Sequence, residues 1–186
     1  MTFRIVGGQF GGRKLQVTLS SNLRPTSHRV REALFNILQK KVCGAQVYDL
    51  FAGTGAIGIE ALSHGAQHAV FIEKHIPTAA NLKKTLDSLS LKQHSTVLSE
   101  DVFTWAQHVS TWPDQPVLMY LDPPYALYDK HVHRMEQLLP TLLASLPKRS
   151  SVIMEHDRHF QTSILPLPEN TDLRYYGNTA LTILTT

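Results

Sequence analysis

From residue 46 onward, short strand-like runs, of which 69–73 and 117–121 are the most apolar, are separated by longer stretches of helical spacing. Val47, Tyr48, Leu50 and Phe51 make the first run, followed by residues 69–73, 95–99, 117–121 and 151–155. Runs of four to eight residues predict buried strands. Between them, Ala56 to about His64, residues 77–89, 102–108 and a long pattern from about Tyr128 to Leu146 predict helices. Residues 173–176 and 180–184, joined through Gly177-Asn178, predict a closing hairpin. Strand and helix in alternation feed a mostly parallel sheet. The expected fold is therefore an open, doubly wound α/β domain over residues 46–186.

Residues 1–45 follow another pattern. Residues 3–6 and 14–19 predict two short strands around Gly7-Gly8-Gln9-Phe10-Gly11-Gly12, a hairpin whose tip carries Arg13 and Lys14. Its glycines would let the backbone lie against a phosphate chain. After Pro25, Thr26 and Ser27 are candidate N-caps of a helix to about Lys41. The apolar face of that helix is read as Val30, Ala33, Leu34, Ile37 and Leu38, with Arg29, Arg31 and Glu32 mostly off it. The expected organisation is a basic arm, 1–45, packed on the main domain.

Charge sharpens the division. The arm holds Arg4, Arg13, Lys14, Arg24, Arg29, Arg31, Lys40 and Lys41 against one acid, Glu32, so 8 − 1 = +7. The remainder has ten basic and fourteen acidic residues, 10 − 14 = −4, within an overall +3. Basic charge gathered in one arm fits a polyanionic partner, most simply nucleic acid. Arg4, Arg13, Lys14, Arg24 and Arg29 are the candidate RNA contacts.

Two motifs carry chemistry. In V-Y-D-L-F-A-G-T-G-A-I-G, residues 47–58, a strand breaks at Gly53-Thr54-Gly55 and re-forms as a helix. Glycines allow a sharp turn and close approach to a ligand, and the helix end offers unpaired N–H groups. Asp49 puts a carboxylate beside the turn, which suits a cofactor carrying positive charge better than a pyrophosphate. S-adenosylmethionine, with its sulfonium and α-ammonium groups, is such a cofactor. Gly53, Gly55 and Gly58 also satisfy the dinucleotide fingerprint, with Glu73 near the expected ribose acid, so a nucleotide-dependent oxidoreductase stays an alternative at this point. Asp49, Glu73, Asp101, Asp122 and Glu155 all fall at or just beyond predicted strand ends.

The second motif is Asp122-Pro123-Pro124-Tyr125. Two prolines remove backbone donors and stiffen the loop. The Asp122 carboxylate and the Pro123 carbonyl can accept both N–H bonds of an exocyclic amine, and Tyr125 offers a face on which a base can stack. This set holds a nucleobase amino group against a methyl donor, by positioning and electrostatics.

With these residues in view the chain resembles the RsmD family, methyltransferases that modify the N2 amine of one guanine in 16S ribosomal RNA. The blocks that carry the resemblance are R-I-V-G-G-Q-F-G-G-R-K-L, R-P-T-S-H-R-V-R-E-A-L-F-N-I-L, D-L-F-A-G-T-G-A-I-G-I-E-A-L-S-H-G-A, F-I-E-K, D-P-P-Y and Y-G-N-T-A-L. The first two are the specific ones. The resemblance implies a Rossmann-like class I S-adenosylmethionine-dependent methyltransferase fold, with S-adenosylhomocysteine as product. It implies that Asp49, Phe51, Gly53 and Gly55 line the methionine end of the cofactor. Glu73, followed by Lys74, would bind the ribose hydroxyls, and Asp101 with Val102 would border the adenine; Asp101 reads equally well as a simple N-cap. Asp122, Pro123, Pro124 and Tyr125 become the catalytic set. The implied partner is 16S rRNA in the small ribosomal subunit or its assembly intermediate.

Other readings use the same motifs. Adenine-N6 or protein-glutamine methylation would keep the cofactor site, although those families usually begin the second motif with Asn. A non-catalytic RNA-binding factor is a further alternative. One cysteine, Cys43, excludes an internal disulfide framework and a cysteine-based zinc site. Ten histidines invite a metal, but the tightest pair, His131 and His133, falls on two faces of the predicted helix, so no metal is expected. Trp105 and Trp112 are read as packing residues. No apolar run approaches 18 residues, so a cytoplasmic protein without a membrane span is expected.

Overall fold

The computed structural model describes residues 2–16, 26–109 and 111–186. Arg24 and residues 17–19 of the second predicted strand lie outside the described residues, as does the side chain of Tyr125. Strands β3 (Gln46–Leu50), β4 (His68–Ile72), β5 (Ser95–Leu98), β6 (Val117–Leu121) and β7 (Ser151–Asp157) run parallel, in the order β5-β4-β3-β6-β7. β9 (Thr179–Thr185) pairs antiparallel with β7, and β8 (Asp172–Tyr176) antiparallel with β9. The strand order turns back at β3, and in such sheets ligands gather at that point, beyond the carboxyl ends of the strands.

The alternation of side chains divides the core into two layers. Val47, Phe71, Leu118, Tyr120, Ile153 and Leu181 face α1 (His28–Val42) and α2 (Ala56–Ser63). Leu50, Ile72, Met119, Leu121, Val152 and Met154 face the opposite layer, which holds α4 (Val102–His108) and α6 (Val132–Ser145). Trp105 and Trp112 pack there with Tyr48, at ring separations of 5.1 to 6.0 Å. No helix among the described residues is long and apolar enough to cross a membrane.

Gly58 is small because α2 lies directly on β4. A Cβ there would come 2.2 Å from Cε1 of the fully buried Phe71. Gly58→Ala is therefore expected to destabilise the chain by about 1–3 kcal/mol, seen as a lower urea midpoint. An unchanged midpoint would mean that Phe71 moves aside freely.

Two elements differ from expectation. The long helical pattern from about Tyr128 is two helices, α5 (Tyr125–Lys130) and α6, broken at His131 (φ −137°). His131 and His133 thus flank a junction, with ring centroids 6.1 Å apart. The buried face of α1 is also rotated from the one read in the sequence. It comprises Val30, Arg31, Leu34, Phe35, Leu38 and Val42, while Ala33 and Ile37 are only half-buried.

The arm's hairpin is shorter than its pattern, with β1 (Thr2–Arg4) paired to β2 (Lys14–Gln16) through a single 3-10 turn, Gly8–Phe10. Two of its glycines, Gly7 and Gly8, lie against the end of α2. A Cβ on Gly8, where φ is +70°, would lie 1.9 Å from the Ser63 carbonyl oxygen, and one on Gly7 2.9 Å from the His64 ring. Gly7 N–H donates to Glu60 (2.8 Å), Val6 N–H donates to the same carboxylate (2.9 Å), and Phe10 N–H donates to Ser63 Oγ (2.9 Å). These two glycines serve arm docking on α2, so the phosphate-cradle role expected of the tip does not hold for them.

Because of this packing, removal of residues 1–23 would affect stability as well as nucleic-acid binding. The core would lose the buried side chains of Phe3, Ile5, Phe10 and Leu15, and the fully buried Glu60 would lose its backbone donors. The truncated chain is expected to melt several degrees lower, because an unsatisfied buried carboxylate costs more than about 1–3 kcal/mol. An unchanged melting temperature would contradict the docking role given to Glu60.

Candidate cofactor and catalytic site

Leaving β3, the chain takes a left-handed step at Phe51 (φ +67°), then turns at Gly53 (φ +53°) and Gly55 (φ +75°) into α2. A non-glycine residue held at positive φ is strained, and such strain concentrates at ligand sites. The turn closes by Gly55 N–H donating to the Ala52 carbonyl at 2.7 Å. Two carboxylates grip it. Asp49 Oδ2 accepts from Gly58 N–H in the first turn of α2 (3.0 Å), and Glu73 Oε2 accepts from Gly53 N–H (2.8 Å). Glu73 Oε1 accepts from His75 N–H at 2.7 Å. Each of those oxygens keeps a second lone pair for a ligand hydroxyl.

Asp49 is under electrostatic stress. Burial pushes its carboxyl up to about 8 from an ordinary 3.8; the Gly58 N–H opposes the rise and the neighbouring Glu73 adds to it. A cation beside Asp49 would relieve that stress, whereas a pyrophosphate would increase it.

β6 runs beside β3 in register, with Leu50 opposite Leu121, so Phe51 and Asp122 leave adjacent strands at the same level. Pro123 is buried and Pro124 is exposed as the N-cap of α5, its carbonyl accepting from Leu127 N–H at 2.8 Å. Asp122 is half-buried and accepts from Thr26 Oγ at 3.4 Å. Thr26 immediately precedes α1, so the arm touches the Asp-Pro-Pro turn directly.

Asp101 lies where a cap would. Its Oδ1 accepts from Phe103 N–H (3.0 Å) at the start of α4 and from the Arg134 guanidinium (3.4 Å), which lies 3.7 Å over the Phe103 ring. Val102 is buried in the layer of α4, and Phe103 meets Phe51 edge-on at 6.0 Å. Lys74 is exposed just past Glu73. Arg4, Arg13, Lys14 and Arg29 are exposed, the first three on the hairpin and Arg29 on α1, away from the glycine turn. Among the described residues no group of three His, Cys, Asp or Glu side chains gathers as a metal site.

A buried polar network behind the turn escaped the sequence reading. The Arg31 guanidinium, 3% exposed, donates to the carbonyls of Thr26 (2.6 Å) and Arg4 (2.8 Å) and lies 3.7 Å from Glu60. Burial lowers its pKa, and Glu60 opposes that. Tyr120 OH donates to Glu155, whose main-chain carbonyl accepts from Tyr128 OH at 2.9 Å. Glu155 therefore anchors β6 and α5 to β7. Signals for part of this were present: Arg31, Phe35, Leu38 and Val42 share one helical stripe, and Glu60 is the lone charge in an apolar helix.

Comparison with known proteins adds four findings. The profile of the family described as "Conserved hypothetical protein 95" matches residues 3–185. YlbH of Bacillus subtilis is 31% identical over 193 residues, covering 97% of each chain. The "Ribosomal RNA small subunit methyltransferase D" of Escherichia coli K12 is 43% identical over 122 residues, 66% of this chain and 60% of that protein. The same fold occurs in the Thermus thermophilus 16S rRNA N2 G1207 methyltransferase RsmC, solved with AdoMet and guanosine. That structure superposes with a TM-score of 0.73 at 20% identity, covering all of this chain and 50% of that one.

Proposed function

The chain belongs to the family of ribosomal RNA small subunit methyltransferase D, and from that premise we propose that it transfers a methyl group from S-adenosylmethionine to the N2 amine of a guanine in 16S ribosomal RNA. The observation that carries this reading is the juxtaposition of two turns: the strained Phe51–Gly55 turn with its stressed acid Asp49, and the Asp122-Pro123-Pro124 turn leaving the adjacent strand at the same level.

The donor set fits the cofactor. Asp49 would face its cationic methionine end, and Glu73, steadied by Gly53 and His75, would accept from the ribose hydroxyls. Bound there, S-adenosylmethionine supplies an electrophilic methyl on a positively charged sulfur. Asp122 would accept one N–H of the target amine and the Pro123 carbonyl the other. This draws the nitrogen toward tetrahedral geometry and frees its lone pair in the direction of the methyl. As the nitrogen gains its new bond and becomes acidic, Asp122 takes the proton. Tyr125, at the start of α5, is assigned the stacking face for a base turned out of its helix. The exposed Arg4, Arg13, Lys14 and Arg29, with Arg24, would contact the RNA.

The aspartate that opens the second motif favours guanine N2 over adenine N6 or a glutamine amide, whose enzymes usually carry Asn there. An oxidoreductase reading leaves the Asp-Pro-Pro turn and the basic arm without a task. The test is transfer of labelled methyl to unmethylated small subunits, to naked 16S RNA and to DNA. Label entering the RNA is expected, and label entering only DNA would overturn the substrate class.

A further inference from the structure

We infer that the cleft between the N-terminal hairpin and the end of α3 (Ile76–Ser88) is a second RNA site, holding an unpaired nucleotide whose base stacks on Arg13. The inference rests on the RNA reading above and extends it to a place remote from the chemistry. The cleft measures about 330 Å³ and is formed by Gln9, Phe10 and Arg13 on one side and Ser88–Leu91 with His94 on the other. That volume lies in the range of small-ligand sites, about 300–1,000 Å³.

Its construction is that of a preformed site. Phe10, Leu89 and Leu91 are buried and make an apolar floor. The Arg13 guanidinium lies 5.0 Å from the Phe10 ring centroid, a cation–π distance, on an exposed side chain that a partner can reach. Guanidinium planes of this kind stack on unpaired RNA bases. No described carboxylate forms an ion pair with Arg13. The hairpin is braced internally, with Ile5 N–H donating to Arg13 O (3.0 Å), Gly12 N–H to Ile5 O (2.9 Å) and Arg13 N–H to Phe10 O (3.1 Å), and it is tied to α2 through Glu60 and Ser63. The opposite wall is strained, since Ser90 holds φ +59° without being glycine. His94 Nδ1 is engaged with the Gln67 carbonyl at 3.3 Å, so its Nε2 is the edge left for a base.

Position explains why such a site is useful. α3 starts beyond β4, at the end of the sheet where Asp122 lies, and its last residue, Ser88, borders the cleft. Thirteen helical residues separate the two ends by about 20 Å. An anchor at that distance is reached only by a substrate much larger than one nucleotide. The arm's charge of 8 − 1 = +7 supplies the attraction for its phosphates.

The test compares three variants of the full chain on unmethylated small ribosomal subunits: Ser88→Trp, which fills the cleft from α3, Arg13→Glu and Arg13→Lys. Ser88→Trp and Arg13→Glu are expected to raise KM about tenfold or more, the scale of one lost base stack, with kcat, melting temperature and S-adenosylmethionine affinity unchanged. Arg13→Lys keeps the charge without the flat face, so it should also raise KM. A benzophenone side chain at position 88 should photocross-link to 16S RNA. Parent KM in Ser88→Trp, or no RNA adduct, overturns the cleft; parent KM in Arg13→Lys overturns base stacking. Absence of methyl transfer by the unsubstituted chain would instead overturn the parent reading.

Discussion

Replacing Asp122 by alanine is expected to lower methyl transfer by on the order of 10²–10³-fold or more while cofactor affinity stays within about twofold. The expectation follows from where the residue lies. It is the first residue after β6, beside the end of β3, and it is half-buried, so its carboxylate can meet a base entering the crevice. Its role is confined to the amine: one hydrogen bond to the nucleophile and one place for its proton. Neither contributes to holding the cofactor, whose cation, in the proposed function, Asp49 would match and whose diol Glu73 would match. Single-turnover rates with saturating subunits, alongside calorimetry with S-adenosylmethionine, separate the two roles. Loss of cofactor binding in Asp122→Ala would show the residue to be misplaced.

The second large effect concerns Asp49, where stability and binding should move in opposite directions. Its carboxyl is raised to about 8 by burial, so the folded chain holds a proton there that the unfolded chain releases near 3.8. Stability from this group is fully present below the unfolded value and is lost as pH rises through the folded one. Asp49→Asn keeps an oxygen for the Gly58 N–H and carries no charge. The variant should therefore melt higher than the parent at pH 8–9, and the gap should shrink toward pH 4. Its affinity for S-adenosylmethionine should fall on the order of a hundredfold or more, because a cation loses its buried partner. In the parent, affinity should rise with pH toward 8, with a proton released on binding at pH 7. A variant that binds as tightly as the parent would remove Asp49 from the cofactor site. One that melts lower at every pH would contradict the burial argument.

Much of this architecture was legible in the sequence because parallel strands are buried on both faces. Residues 117–121 could only be a central strand, and 47–51 followed by glycines could only turn into a helix. The grip of Asp49 and Glu73 on the glycine turn was legible in position but not in detail. Spacing says that an acid ends a strand; it does not say that its oxygens already hold Gly58 or Gly53. Asp101 shows the same limit, since a capping aspartate and a ligand aspartate occupy the same place in a sequence.

What spacing could not show depends on long-range contact. Arg31 looked like a surface charge because helix phase was read from Ala33 and Ile37, whereas the contact with α2 selects Phe35 and turns Arg31 inward toward Glu60. The arm's glycines looked like a phosphate cradle because glycine permits close approach to anything. At Gly7 and Gly8 the neighbours are Ser63 and His64. The break at His131 has no proline or glycine to announce it, and helical spacing continued through it.

The most direct measurement is nucleoside analysis of 16S RNA after incubating unmethylated small subunits with the chain and S-adenosylmethionine. N2-methylguanosine, gained at one position and absent with Asp122→Ala, is the predicted result. N6-methyladenosine, or methyl found only on protein, would contradict the assignment of the target amine while leaving the cofactor site intact.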